Sequence, residues 1–230
     1  MTANGKHHTK QFQTRPLHTQ RLHIKQLTIS LHGETLLAID SVIQPGEVLT
    51  VMGPSGSGKS TLLAYLAGFL SPAFMAQGQL FLDEQRLDTL PAEKRGIGLL
   101  FQDPMLFPHL SVGGNLRFGL PHHALSRKAK DKRQQVTQAL EQVGLAGYES
   151  RDPATLSGGQ QSRVALMRLL LSKPRAVLLD EPFSKLDTAL RQEMRTLVFS
   201  QLQEAGLPAL LVTHDHADAN AAGGPVIELG

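Results

Sequence analysis

The hydrophobic residues from Leu22 onward fall into short runs with two different spacings. Apolar residues at alternating positions over 22–31 predict an opening antiparallel strand or a pair of such strands. Further apolar runs predict strands at 47–52, 78–82, 97–101, 177–179 and 209–213. The run at 177–179 is continuous, which is typical of a strand that is buried on both faces of a sheet.

Between these strands, apolar residues recur at the three- and four-residue spacing of amphipathic helices. Three helices are predicted, and their inward-facing residues are Val136, Ala139, Leu140 and Val143; then Val164, Met167, Leu170 and Leu171; then Leu190, Met194, Leu197 and Val198. Gly206 can end the last of them. Helices that alternate with strands indicate a largely parallel sheet, so the chain is predicted to have an α/β fold.

Composition narrows the class of protein without identifying it. Hydrophobic residues make up 41% of the 230 residues and charged residues 19%, as in an ordinary globular domain. The sequence has no cysteine, which excludes a disulfide-stapled secreted fold and any cysteine metal site. No apolar run approaches the roughly 20 residues of a membrane-spanning helix. The N-terminal residues lack a signal-peptide core, so export is not expected.

Residues 1–20 are predicted to form a disordered tail, because Phe12 and Leu17 are the only bulky apolar residues they could bury. The remainder, 21–230, is then predicted to be one domain. The net charge of +3 is a mild basic bias, and part of it lies in the tail. The histidines of the tail have no regular ligand spacing, so only composition favours a metal site there.

A glycine-rich loop follows the predicted strand at 47–52. Its residues are Gly53, Pro54, Ser55, Gly56, Ser57, Gly58, Lys59, Ser60 and Thr61, and they match G-x-x-x-x-G-K-[ST]. Glycines let backbone N–H groups converge on one point, and the following helix adds the positive end of its dipole. Lys59 is expected to reach the β- and γ-phosphates of ATP, and the Ser60 hydroxyl to coordinate Mg²⁺. A plain glycine-rich turn is the alternative, which the strand–loop–helix context disfavours.

Two adjacent carboxylates, Asp180 and Glu181, follow the apolar run at 177–179. Open α/β sheets place ligands at the C-terminal ends of their strands, where this pair would lie. Asp180 is predicted to be the Mg²⁺ partner, through water, and Glu181 to be the general base that polarises the attacking water. A solvated turn is the alternative, and the phosphate loop in the same chain disfavours it.

Two further polar residues end predicted strands. His214 follows the strand at 209–213 and is predicted to contact the γ-phosphate or Glu181. Gln102 follows the strand at 97–101 and is predicted to ligate Mg²⁺ and the lytic water. Each would be a weak signal alone, since a single histidine at a strand end is more often structural. The parallel-sheet context favours the functional interpretation.

One more motif consists of Leu156, Ser157, Gly158, Gly159 and Gln160, and we refer to residues 156–160 as the signature segment. With it, the chain resembles the ATP-binding-cassette (ABC) transporter family from about residue 22 to the C-terminus. The elements stand in the family's order: the loop at 53–61, Gln102, the signature segment, Asp180 and Glu181, residues 184–187, and His214. The resemblance implies a P-loop NTPase core with a mostly parallel sheet, an N-terminal antiparallel β subdomain, and a helical subdomain inserted at about 103–172.

In that family the signature segment caps the ATP that is held by the phosphate loop of a second subunit. The residues agree with this role, because Ser-Gly-Gly-Gln before an apolar-faced helix makes a second helix-N-terminal anion site. One chain then has two anion cradles for one γ-phosphate, and a two-fold symmetric pair uses both. The resemblance therefore implies an ATPase that binds ATP between two copies of itself, with Ser184 and Asp187 at the interface.

The resemblance also implies membrane partners. The sequence is most similar to bacterial importer subunits for sulfate, iron, polyamines or thiamine, through residues 96–107 and 156–171. Such a subunit energises import through a separate membrane permease, together with a solute-binding protein. It is expected to be cytoplasmic and peripheral on the inner face of the plasma membrane. Met105, Leu106, Phe107 and Leu110 are either buried core or part of a groove for a permease helix.

Two other functions stay open as alternatives. One is an exporter subunit, although exporters often fuse this domain to membrane helices. The other is a soluble ABC ATPase that acts on nucleic acid or on the ribosome, for which the basic stretch at 127–133 is the best argument. That stretch has no interleaved aromatic residue to stack on bases, so a solvated helix face is the simpler interpretation and no nucleic acid is expected.

The chain departs from the family at three positions near the predicted site, of which Ser162, in place of a common Gln after Gln160, is expected to have no consequence. The family usually stacks an aromatic residue on adenine near the first strand pair, where this chain has His32 and no Phe, Tyr or Trp. Lys185 replaces a small residue in the loop at 184–187, and its charge could alter the affinity of the dimer.

Overall fold

The computed structural model describes residues 20–121 and 129–230, in which the chain forms nine strands and six α-helices. The predicted tail, except for Gln20, and the start of the basic stretch lie outside the described residues. The strands are β1 (Leu22–Leu31), β2 (Glu34–Ile43), β3 (Val48–Met52), β4 (Phe74–Leu82), β5 (Gln85–Arg86), β6 (Ile97–Leu100), β7 (Ala176–Asp180), β8 (Ala209–Thr213) and β9 (Val226–Glu228). The helices are α1 (Lys59–Ala67), α2 (Val112–Gly119), α3 (Ala129–Gln142), α4 (Gly158–Leu171), α5 (Thr188–Glu204) and α6 (His216–Ala222).

The first sheet is antiparallel, with the strand order β2-β1-β4-β5. A two-residue turn joins β1 to β2, and both of its residues have positive φ, 52° at His32 and 88° at Gly33, as tight hairpins require. Four apolar residues of β1 are fully buried, Leu22, Ile24, Leu27 and Ile29, and a register shift interrupts the alternation between Ile24 and Leu27. The prediction of an antiparallel opening is confirmed, and β4 begins four residues earlier than the apolar run at 78–82 suggested.

The second sheet is parallel, with the strand order β6-β7-β8-β3-β9. Every residue of β3 and of β8 is buried, as expected for central strands with helices on both faces. The predicted α/β class with a mostly parallel sheet is confirmed. Strand β6 ends at Leu100 rather than at Phe101, whose side chain is exposed. Strand β9 was not predicted, because its three residues are not a buried apolar run.

Helices α2, α3 and α4 come between β6 and β7 and share a hydrophobic cluster of their own. The predicted face of α3 is buried in it, with Leu140 and Val136 almost fully inaccessible to solvent. Helix α2 was not predicted, since three of its eight residues are glycine, which has low helix propensity. It begins at the N-cap Ser111, whose side chain accepts a hydrogen bond from the Gly114 amide.

A buried arginine closes the C-terminal end of α1. The guanidinium of Arg95 donates from Nη1 to the carbonyls of Tyr65 and Leu66, at 2.6 and 2.9 Å, and from Nε to the carbonyl of Leu90 at 3.0 Å. Its side chain forms no ion pair within the described ranges, and burial lowers its pKa. A cation at this end of a helix is stabilised by the carbonyls that the last turn leaves unpaired.

We predict that Arg95→Met lowers the free energy of unfolding by about 2–3 kcal/mol, because buried carbonyls lose a charged donor. The measurement is urea unfolding followed by circular dichroism. Arg86→Met is the matched control, since Arg86 is an exposed arginine whose one ion-pair partner among residues 20–121 and 129–230 is Asp88. The decrease in the free energy of unfolding should be much smaller in Arg86→Met than in Arg95→Met. Equal losses in the two variants would contradict the assignment of Arg95 as a helix-end donor.

Candidate functional site

The predicted phosphate loop connects the end of β3 to the start of α1. Gly58 is the N-cap of α1 and has φ of 90°, a left-handed conformation. A Cβ at this position would lie 2.9 Å from side-chain atoms of Leu36 and Leu37, so only glycine fits between the loop and β2. Among the residues that the structure describes, no side chain caps α1, and its first turn has no acidic residue. The first amides of the helix are therefore available to an anion.

A buried cation lies inside this loop. The side chain of Lys59 is almost inaccessible, and its Nζ donates to the carbonyls of Gly53 and Pro54, both at 2.7 Å. The hydroxyl of Ser57 is also buried and has no hydrogen-bond partner within the described part of the chain. Ser60, in contrast, is exposed at the start of the helix. An uncapped helix, a buried ammonium and an unpaired hydroxyl together form a built anion cradle, which fits a triphosphate.

Strand register places the carboxylates beside this cradle. Strand β8 lies between β3 and β7. Met52, the last residue of β3, pairs with Thr213 of β8, and Asp180, the last residue of β7, pairs with Val212 of β8. Burial raises the pKa of Asp180, the adjacent charge of Glu181 raises it further, and the ammonium of Lys59 opposes both effects. Asp180 and Ser60 supply the oxygen donors that Mg²⁺ prefers, so the donor set also fits that ion.

Glu181 and His214 form a direct contact. His214 Nδ1 lies 3.1 Å from Glu181 Oε1, with the imidazole largely exposed and the carboxylate mostly covered. Glu181 has φ of 43°, an uncommon conformation for a residue with a side chain. Its amide donates to the carbonyl of Val212 at 3.0 Å, and its own carbonyl accepts from the amide and the hydroxyl of Ser184. These bonds hold the strained backbone in place.

Gln102 follows β6, the strand next to β7, and its side chain is exposed. Within residues 20–121 and 129–230, no hydrogen bond joins it to Glu181, His214 or the phosphate loop. Its neighbour Asp103 forms an ion pair with Lys185, and both of these side chains are more than half exposed. The structure therefore brings Gln102 to the same edge of the sheet without a contact to the other candidate residues.

The signature segment begins α4. Ser157 is the N-cap, and it forms a capping box in which its hydroxyl accepts from the Gln160 amide and its own amide donates to Gln160 Oε1. Gly158 is exposed, whereas Gly159 is buried, and a Cβ on Gly159 would come within 2.4–2.9 Å of the Leu190 side chain. In the described residues, no hydrogen bond joins this segment to the phosphate loop of the same chain.

Four charged residues near this edge were not singled out from the sequence: Arg191 and Arg195 on α5, and Asp215 and Asp218 at the start of α6. The arginines are four residues apart and the aspartates three, so each pair shares one helix face. That spacing is the only signal in the sequence, and it does not say which faces meet.

A cavity of about 310 Å³ lies between the loop after β6 and helices α2 and α4. Phe101, Phe107 and Phe118 line it, and Phe118 is 67% exposed. Arg168 also lines it and donates to the carbonyls of Met105 and Pro104, at 2.8 and 3.1 Å. Of the four apolar residues left open between core and groove, Leu106 packs against the core and Phe107 lines the cavity, while Leu110 is partly buried and Met105 is exposed.

No helix within the described ranges has both the length and the apolar content needed to cross a membrane.

Comparison with known proteins gives consistent matches. The family model described as ABC transporter matches residues 36–184, which contain the loop at 53–61, Gln102, the signature segment, Asp180 and Glu181, but not His214. The uncharacterized ABC transporter ATP-binding protein YnjD of Escherichia coli (strain K12) is 47% identical over 199 residues, 86% of this chain and 90% of that protein.

Two relatives carry the names of import subunits. The Fe(3+) ions import ATP-binding protein FbpC of Streptomyces avermitilis is 44% identical over 207 residues, 90% of this chain. The chain spans 59% of that protein's length. The thiamine import ATP-binding protein ThiQ of Vibrio vulnificus (strain YJ016) is 45% identical over 190 residues, 83% of this chain and 79% of that protein.

The backbone strain at Glu181 can be tested by comparing two truncations of its side chain. Glu181→Gly and Glu181→Ala both remove the carboxylate, so their difference isolates the conformation at φ of 43°. We predict that the glycine variant is more stable by about 1 kcal/mol, because left-handed backbone costs little only in glycine. Chemical denaturation at one pH measures this difference, and equal stabilities would mean that the site stores no strain.

Proposed function

This chain belongs to the ABC transporter family, and on that premise we propose that it energises solute import through a separate membrane permease. As a member of the family it binds ATP and is an ATPase. The observation that carries the proposal is the meeting, at one sheet edge, of an anion cradle and the Glu181–His214 pair. The proposed ATPase domain comprises residues 21–230, with a helical subdomain at about 103–172.

We propose that the triphosphate of ATP binds the loop at 53–61, where the first amides of α1 and the ammonium of Lys59 meet the negative charge. Lys59 would exchange its bonds to the Gly53 and Pro54 carbonyls for bonds to the β- and γ-phosphates. Ser60, Gln102 and Asp180 would hold Mg²⁺. When bound, the ion neutralises phosphate charge, and the chain's own residues position the reactants.

Glu181 is the proposed general base. Its carboxylate accepts a proton from the attacking water as the new bond to the γ-phosphorus forms. The bond between the γ-phosphorus and the bridging oxygen breaks, which yields ADP and phosphate. His214 would orient the Glu181 carboxylate through the 3.1 Å contact and lie beside the γ-phosphate.

The second half of the proposed site comes from another copy of the chain. Support comes from α4, whose start is exposed at Ser157 and Gly158 and has no bond to its own phosphate loop within the described residues. In a two-fold pair, the Ser157, Gly158, Gly159 and Gln160 of each copy would cap the ATP of the other. ATP would then close the dimer, and hydrolysis would release it.

The permease is proposed to dock on the cavity between α2, α4 and the loop after β6. Exposed aromatic residues at its rim, Phe118 and Phe101, suit an apolar helix of a partner. Arg168 connects this cavity to the loop that bears Gln102, so docking and hydrolysis share one element. The import relatives are named for Fe(3+) ions and for thiamine, so we propose a small solute, delivered by a solute-binding protein, with the ATPase on the cytoplasmic face.

The catalytic proposal is tested with Glu181→Gln, which keeps the shape of the side chain but removes the base. We expect ATP binding to persist, hydrolysis to fall by at least about 100-fold, and a dimer to accumulate with ATP. Light scattering and phosphate release measure the two effects. Lys59→Ala is the control, because it should lose nucleotide binding and so form no dimer. Hydrolysis at the wild-type rate in Glu181→Gln would remove Glu181 as the base.

The docking proposal is tested with Phe118→Ser in the organism's own cells, from which the chain is purified together with its membrane partners. We expect less permease to co-purify, while ATP hydrolysis by the isolated chain is unchanged. Phe69→Ser is the matched control, because Phe69 is 70% exposed, close to the 67% of Phe118, but does not line the cavity. This docking site would be contradicted if the two changes lowered the amount of co-purified permease equally, or if neither change lowered it. Recovery of ribosomes or nucleic acid instead would favour the alternative function.

A further inference from the structure

Two arginines of α5 hold the segment that carries His214. Arg195 is buried and donates from Nε to Asp218 Oδ1 at 2.6 Å and from Nη2 to Asp215 Oδ2 at 2.9 Å. Arg191 donates from Nη1 to the same Asp215 oxygen at 3.1 Å. Asp218 is also buried, and its second oxygen accepts from the Thr213 hydroxyl at 2.7 Å. Both charges of the buried pair are therefore satisfied.

These contacts fix the residues on either side of His214. The Asp215 amide donates to the Thr213 hydroxyl at 3.1 Å, and Asp215 Oδ1 accepts from the Ala217 amide as the cap of α6. His214 itself is largely exposed, and within the described residues its side chain has a single hydrogen-bond partner, Glu181. The direction of the imidazole thus depends on how its two neighbours are held.

Arg191 also contacts the loop at 184–187. Its Nη2 donates to the carbonyls of Ser184 and Leu186, at 3.2 and 3.1 Å. Ser184 in turn donates to the carbonyl of Glu181 through its amide and its hydroxyl. Together with the peptide bond between His214 and Asp215, these contacts close into a ring. It runs from Glu181 through Ser184, Arg191 and Asp215 to His214 and back to Glu181.

Within this ring, Arg191 is the member whose side chain contacts both loops. Its planar guanidinium reaches one carboxylate and two carbonyls at once, which a lysine ammonium on a flexible stem cannot reproduce. The side chains of Arg191 and Asp215 are each 29% exposed, so water screens this pair only in part. Although partial burial acts in the opposite direction, the Ala217 amide and the two arginines lower the pKa of Asp215.

We propose that Arg191 is a positioning residue for ATP hydrolysis, which acts by holding His214 against Glu181. The inference rests on the proposed role of Glu181 as the base. Arg191 lies outside the phosphate loop and has no bond to it in the described residues. Its contribution therefore belongs to the chemical step and not to nucleotide binding.

The test is a double-mutant cycle in the full chain with Arg191→Met and His214→Ala. We expect Arg191→Met alone to lower kcat by about 10- to 100-fold, since small misplacements of a catalytic group cost this much. The affinity for ATP should change less than twofold, as measured with a fluorescent ATP analogue. In the His214→Ala background, the same change should have almost no further effect on kcat, because it acts through His214.

Arg163→Met is the matched control. Arg163 is also a partly buried arginine with one carboxylate partner, Glu193, one carbonyl partner, Val143, and an Nε without a partner within the described ranges. It should leave kcat near the wild-type value. Arg191→Lys is the second variant, should the methionine variant fold poorly. It keeps the charge but not the fork, so kcat should still fall at an unchanged midpoint of thermal unfolding.

Independent effects of Arg191→Met and His214→Ala, multiplying in the double variant, would overturn the proposal. Wild-type kcat in both Arg191→Met and Arg191→Lys would do so as well. These outcomes are separable from failure of the proposed function, because Glu181→Gln reports on the base by itself. If Glu181→Gln abolishes hydrolysis while the Arg191 variants are fully active, only the positioning role is wrong.

Discussion

The parallel pairing of β3, β8 and β7 is the constraint on which the rest of the structure depends. Strands that run in the same direction end at the same edge, so the loops that follow them must meet there. The register of Met52 with Thr213, and of Asp180 with Val212, sets how far each loop projects. Strand pairing thus brings together residues that are far apart in the chain. Buried aliphatic side chains stabilise this register.

The fold and the local motifs could be predicted because their signals lie within a few residues of one another. The phosphate loop is one continuous segment, and β7 is a continuous apolar run that ends at Asp180. The roles of Arg95 and Arg191 could not be predicted in this way, because the partners that define those roles, Tyr65 and Asp215, are 30 and 24 residues distant in the chain. Helix α6 was missed for another reason: its seven residues are too few to show a helical period.

The first backbone amides of α1 and of α4 differ in how far side chains satisfy their hydrogen bonds. Within the described ranges helix α1 has no side-chain cap, so its first amides can donate hydrogen bonds to an anion. Helix α4 already has a complete capping box between Ser157 and Gln160. In the proposed dimer, the start of α1 would bind phosphate firmly. The start of α4 would lose part of its capping hydrogen bonds when it approached a partner's ATP. A weaker second contact would suit the proposed dimer, which would open again after each hydrolysis.

The ion pair between Lys185 and Asp103 has a consequence of a different kind. It bridges the loop after β7 to the loop that carries Gln102, and both of its partners face the solvent. Mobile ions screen such a pair, over a Debye length of about 8 Å at physiological ionic strength. The freedom of the Gln102 loop is therefore set in part by the salt content of the surroundings, a variable that affects the buried hydrogen bonds of the Lys59 ammonium much less.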